Sequence, residues 1–233
     1  MPSPRRRSKL TGDYLFDPRL GGTGRYVSAA TGRIVSTNTV LSVMEGQIEQ
    51  ARGNIRGICE QLANEQINLA QWQTAMKDEM RSIHTKTAAL SKGGWAQMSQ
   101  ADWGALGRIS RDQYAFLENF AKEIYEGKQP IFNLAGEISG NFLRRADLYG
   151  QAGVTTYWEM EKRTAQGAGA DYEARELDPA VVKHCDCCID QAALGWRTIA
   201  SGDIYPIGAC TCTTNCRCRK KFGTMIDGEI VEI

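Results

Sequence analysis

Seven of the eight cysteines, Cys185, Cys187, Cys188, Cys210, Cys212, Cys216 and Cys218, fall in one stretch near the C-terminus, with His184 at its head. They form two knots joined by a connector that holds Gly195, Gly202, Pro206 and Gly208. Two close pairs of thiolates on neighbouring turns are what a tetrahedral divalent metal needs, and binding itself supplies the ordering energy. Cys185 and Cys188 have the C-x-x-C spacing that lets one turn offer both sulfurs. Cys212 and Cys216 supply the second pair, with Cys218 able to replace Cys216, and Cys187 and Cys210 are then bystanders. A second arrangement places all seven sulfurs and His184 around two metals, and it is crowded. His184 alone is weak evidence, since a histidine beside such a site is as often a donor to a ligand or a surface residue as a ligand itself.

Disulfides compete with this reading, because clustered cysteines also mark short secreted scaffolds behind a signal peptide. This chain of 233 residues begins MPSPRRRSKL with no apolar segment behind it. An odd number of clustered cysteines cannot all pair locally, and synthesis in a reducing compartment keeps thiols free. The expectation is therefore zinc, in a structural role. A catalytic ion keeps an open position and usually takes histidine or carboxylate, whereas here sulfur is abundant and the only histidines are His84 and His184. The local apolar residues, Leu194, Trp196, Ile199, Ile204, Tyr205 and Ile207, are too few to hold the segment alone. Metal binding there is folding energy, about 10 kcal/mol in zinc-finger peptides. Arg217, Arg219, Lys220 and Lys221 close the cluster. Basic side chains offset the net negative charge of four thiolates around one ion, and the spacing lacks the histidine pair and recognition helix of a DNA-reading finger.

The elements upstream are helical. Leu41, Met44, Ile48, Ala51, Ile55, Ile58 and Leu62 recur at steps of three and four, which puts them on one helical stripe opposite Glu45, Glu49, Arg52, Arg56 and Glu60. Gly46, Gly53 and Gly57 weaken that helix by about 1 kcal/mol each relative to alanine and suggest close backbone contact. A second helix follows an Asn68 cap, carries Trp72, Met76, Met80, Ile83 and Leu90 inward, and ends at Gly93 and Gly94. Ser99 with Asp102 opens a third as a capping box, running to Gly127, and a fourth starts near Leu134 and continues to Met160. Four amphipathic helices with short connections predict an antiparallel bundle. His84, beside the second stripe, is expected to make a structural hydrogen bond. Asp102, Asp112 and Glu118 have no companion base.

The first 33 residues hold seven basic side chains against two acidic ones and are rich in Gly and Pro. They read as an extended basic arm, with a small hairpin of 25–27 against 33–35 and with Arg5, Arg6 and Arg7 as contacts for a partner or nucleic acid. The predicted class is thus mainly α: an arm over 1–37, a helical domain over 38–166, a linker over 167–177 and a cysteine-rich zinc module over 178–233. The net charge of +1 argues against a general nucleic-acid coat. No apolar stretch approaches transmembrane length, and no phosphate-binding glycine loop, nucleophile elbow or acid/base histidine constellation is present. The expectation is a protein that is not an enzyme.

The strings TGRIVS, LAQWQTAM, GGWAQMSQADWGALG, QYAFLENFA and RRADLYGQA, with HCDCC, GW and NCRC, give a chain that resembles the minor head proteins of tailed bacteriophages, of the head-morphogenesis class, from about Thr31 to Cys218. The resemblance implies a structural component of the virion head, made in the bacterial cytoplasm. Its implied partners are the portal, the major capsid protein or further copies of itself. Cys185, Cys188, Cys216 and Cys218 are the cysteines that match the family's closing C-x-x-C pair and C-R-C knot. Where minor head proteins often have histidine before the last knot, this chain has Cys212 and Thr213, and it lacks the long N-terminal domain of larger members. A portal-proximal and a capsid-cementing position are both open. The rival reading is a nucleic-acid-binding zinc protein that packages or organises the genome, with the arm touching packaged DNA.

Overall fold

The computed structural model describes residues 8–11, 14–17, 25–179, 181–212 and 216–233, so Arg5, Arg6 and Arg7 lie outside the described residues. In chain order the elements are β1 (Ser8–Thr11), β2 (Tyr14–Asp17), β3 (Arg25–Ser28), α1 (Thr37–Ala63), α2 (Leu69–Lys92), α3 (Gln100–Tyr125), α4 (Gly140–Gly167), β4 (Tyr172–Glu176), α5 (Asp186–Ala193), β5 (Arg197–Thr198), β6 (Arg219–Ile226) and β7 (Glu229–Glu232). The class is mainly helical with antiparallel strands. Among the described residues, no helix is long and apolar enough to cross a membrane. The chain divides into two compact units, one formed by Leu41–Ala88 with Ser99–Thr156, the other by the described parts of Met1–Val40 with Ala89–Met98 and Tyr157–Ile233.

The first of these units is held by one apolar cluster to which four helices contribute: Ile55, Cys59 and Leu62 from α1, Trp72, Met76 and Met80 from α2, Leu117 and Phe120 from α3, Phe142, Ala146 and Tyr149 from α4. Trp72 meets Phe120 edge-on at 5.4 Å and Phe120 stacks on Tyr149 at 6.1 Å. Cys59 takes the fully buried place on the α1 stripe, and Ile58 packs at its margin. Burial pushes the Cys59 thiol up to about 11, which makes it an inert packing group. The helix signals read from sequence operate locally. Asn68 and Gln71 exchange reciprocal cap bonds at 2.9 Å, and Ser99 and Asp102 form the capping box that opens α3. His84 is buried, its Nδ1 2.7 Å from the Thr156 hydroxyl, and desolvation lowers its pKa to about 4, so it stays neutral.

Two expectations need correction here. The fourth helix begins at Gly140 rather than near Leu134. The Asn133 side chain accepts from the backbone of Ala135 and Glu137 at 2.9 and 3.0 Å, folding 131–139 into a tight turn that competes with helix. Gly46, Gly53 and Gly57 also have nothing within 4 Å of a Cβ position. The close approach is on α4: a Cβ at Gly150 would lie 3.3 Å from the Arg52 backbone nitrogen, and one at Gly153 would lie 2.8 Å from Ile83.

In the other unit, the segment expected as an extended arm carries a three-stranded antiparallel sheet, β1-β2-β3. Phe16, Tyr26 and Val27 are buried there, and the Tyr26 hydroxyl donates to the Leu90 carbonyl at 2.5 Å. These apolar side chains fold the segment despite its Gly and Arg content. The small hairpin is present, with Val27 bridged to Ile34. Residues 167–177, expected as a linker, contain β4, an interior strand of the second antiparallel sheet, β5-β4-β6-β7. Along β4 and β6 the partners are Arg175 with Lys220 and Glu173 with Phe222. Buried Glu173 accepts from Lys162 at 2.8 Å and from Lys220 at 2.6 Å.

Candidate metal centre

The site is built by α5 and the residue before it, the loop over 202–212, residues 216–218 leading into β6, and one side chain from β4. Cys185 is the residue before α5 and has extended backbone, and its carbonyl accepts from Cys188 at 2.9 Å. That bend turns Cys185 and Cys188 toward one another, as the C-x-x-C spacing requires. Left-handed Gly202 and Gly208, at φ 70 and 90, let the connector fold back. Gln191 of α5 holds the connector through the Tyr205 backbone N–H at 2.6 Å. Ile199, Ile204 and Ile207 are buried beneath it, while Tyr205, expected in this small core, is half exposed.

Cys188, Cys216 and Cys218 are buried and Cys185 and Cys212 partly so. Cys188 Sγ is 3.5 Å from Cys212 Sγ and 3.8 Å from Cys216 Sγ. Four sulfurs about 2.3 Å from a central zinc stand about 3.8 Å apart, so the spacing fits a metal-centred tetrahedron. Cys188, Cys212 and Cys216 form one group of converging ligand atoms, and Cys185, Cys188 and Cys210 form another. Cys185 is hydrogen-bonded to Cys188 and Cys212, and Cys218 to Cys216 and Cys188. The five cysteines read from sequence as ligands thus lie in one hydrogen-bonded cluster, and Cys185 and Cys218 are the candidates for a fourth ligand beside Cys188, Cys212 and Cys216.

Charge at the site is unevenly spread. Hydrogen bonding from the Cys218 thiol, helped by the Cys218 and Gly208 backbone N–H groups and opposed by burial, lowers Cys216 to about 4. Burial also opposes ionisation of Cys185, but the Thr211 side chain, the Cys188 backbone and the neighbouring thiols bring it down to about 6. Burial and the adjoining sulfurs push Cys212 and Cys218 up. Cys185 and Cys216 are thus the sulfurs of this cluster that ionise most readily, and the others would lose their protons to a bound metal.

The counter-charge comes from Arg175 on β4, which the sequence reading missed. Its guanidinium, 4% exposed, donates to Cys188 Sγ at 3.9 Å and Cys216 Sγ at 3.8 Å through Nη1, and through Nη2 to the carbonyls of Tyr205 and Pro206 at 2.5 and 3.2 Å. The basic run does other work: Lys220 pairs with Glu173, Lys221 with Glu176 and Glu232, and Arg217 faces solvent. The one available signal for Arg175 was the alternation of Glu173, Arg175 and the small Ala174, matched by the charged run of β6. His184 donates from Nε2 to the Asp178 carbonyl at 3.1 Å and belongs to neither sulfur group. Cys187 and Cys210 are joined as a disulfide with Cα atoms 5.6 Å apart. The disulfide and the candidate metal-binding sulfurs, alternatives in the sequence, sit side by side.

No family model matches the chain, and no curated protein or solved structure matches it either.

Proposed function

We propose that this chain is a structural assembly protein in which zinc folds the C-terminal module, four α-helices form an antiparallel bundle, and the whole serves as a minor head or capsid-associated component of a tailed-phage particle. The zinc part rests on one observation: the sulfurs of Cys188, Cys212 and Cys216 converge, Cys188 lying 3.5 and 3.8 Å from the other two, and a buried guanidinium bonds to Cys188 and Cys216. A set of thiolates closes the coordination sphere, and such ions fold small modules rather than activate water. The phage part rests on the motifs that resemble minor head proteins from Thr31 to Cys218. Phe116 and Tyr125 on α3 are exposed aromatics of the kind that partner copies or capsid proteins cover.

Lys220 and Lys221 of the basic run are engaged in ion pairs within the sheet, which favours a packing role over phosphate binding for them. Mass spectrometry of purified particles, with zinc measured in the same sample, tests the proposal. Stoichiometric presence of the chain in the head fraction is expected. Its absence from particles that assemble normally would refute the virion role.

A further inference from the structure

The cluster has more sulfurs than one tetrahedral ion can use. Two tetrahedra that share a corner need seven donors, and seven cysteines stand in this knot. The shared corner is visible in the geometry, because Cys188 Sγ belongs to both groups of converging ligand atoms, one with Cys212 and Cys216, the other with Cys185 and Cys210. Cys218, hydrogen-bonded to Cys188 and Cys216, completes the first group. Cys187, bonded to Cys210, completes the second. While that bond is intact neither of its sulfurs is a thiolate, and the second group holds only Cys185 and Cys188.

We propose that the Cys187–Cys210 disulfide controls a second metal position, and that its reduction converts a one-zinc site into a two-zinc cluster bridged by Cys188. This rests on the zinc reading above. In the step, a dithiol reductant attacks the disulfide, the S–S bond breaks, and the two electrons and two protons of the dithiol pass to Cys187 and Cys210, leaving the reductant as its own disulfide. Both new thiols lose their protons to water as they bind the divalent ion with Cys185 and the bridging Cys188. Freed from their bond, the two sulfurs can part to the spacing of about 3.8 Å that a tetrahedral zinc sets. Charge supports the assignment. Seven thiolates around two zinc ions carry one more negative charge than four around one, and the bridging sulfur is one of the two that Arg175 reaches.

Native mass spectrometry of the full chain in excess zinc, before and after reduction with a phosphine that has no thiol to compete for metal, tests this. The expected result is one zinc per chain while the bond is intact and two after reduction, with Cys187 and Cys210 open to alkylation only in the reduced chain and only once a chelator has removed the metal. The double variant C187S/C210S is expected to hold one zinc in either condition. A reduced wild-type chain that still holds one zinc would overturn the second position, as would a double variant that also takes two. Zero zinc in both conditions would instead overturn the zinc reading beneath it.

Discussion

Replacing Arg175 by methionine keeps the length and apolar stem of the side chain and removes every donor it brings to the metal centre. The wild-type guanidinium makes two contacts to sulfur at 3.9 and 3.8 Å and two to the connector carbonyls at 2.5 and 3.2 Å. Hydrogen bonds from a charged donor contribute about 1.5–3 kcal/mol each, net of water. The carbonyl pair is expected to set the stability of the connector. The sulfur pair offsets part of the charge of about −2 that four thiolates leave on one divalent ion. Groups that support metal ligands in this way change affinity by about 10–100-fold. Arg175→Met is therefore expected to lower zinc affinity by that factor in a competition titration against a chromophoric chelator at pH 7. Arg175→Lys should fall between, because a single ammonium cannot serve sulfurs and carbonyls together. An affinity for the methionine variant within about twofold of wild type would refute the role assigned to Arg175.

Cys188→Ser, which removes the sulfur common to both groups, should unfold the C-terminal module while leaving the helical circular dichroism of the rest. Limited proteolysis that still protects the residues after 178 would argue against it. Alanine at Gly46, Gly53 or Gly57 should each raise stability by about 1 kcal/mol in urea unfolding, since a Cβ there meets nothing, whereas Gly150→Ala should lower it by pressing against α1. Glu161 lines a cavity of about 560 Å³, where burial raises its pKa from 4.5 to about 7 against the pull of the Tyr157 and Ser91 hydroxyls and of Lys92 and Arg25. Between those values the folded chain keeps a proton that the unfolded chain has lost, so stability falls as pH rises through the window. Glu161→Gln should flatten that part of the melting-temperature profile, and parallel profiles for the two proteins would contradict the shift.

Elements whose signals are local were legible in the sequence. The α1 stripe, the Asn68 and Ser99 caps, the left-handed glycines after α2 and the C-x-x-C bend each depend on residues within a few positions of one another, and each formed where expected. Features set by distant contacts were not. Phe16 and Tyr26 look like stray aromatics in a Gly- and Arg-rich stretch until their burial in the other unit is seen. The start of α4 was misplaced because Ile138 fits a helical stripe by spacing, while the Asn133 side chain settles the turn. β4 reads as polar linker because its charges are satisfied by residues distant in sequence, Glu173 by Lys162 and Lys220 and Arg175 by the sulfurs and the connector carbonyls. At the candidate metal centre the five cysteines lie in one cluster, but their spacing holds no trace of which cation offsets them. Nor could spacing show that Cys187 and Cys210 would find one another.

The most direct test of the central claim is X-ray absorption at the zinc edge on the purified full-length chain. A sulfur-only first shell at about 2.3 Å with four scatterers is the result this account predicts. A shell containing nitrogen or oxygen would contradict it, and so would a chain that purifies and folds without zinc.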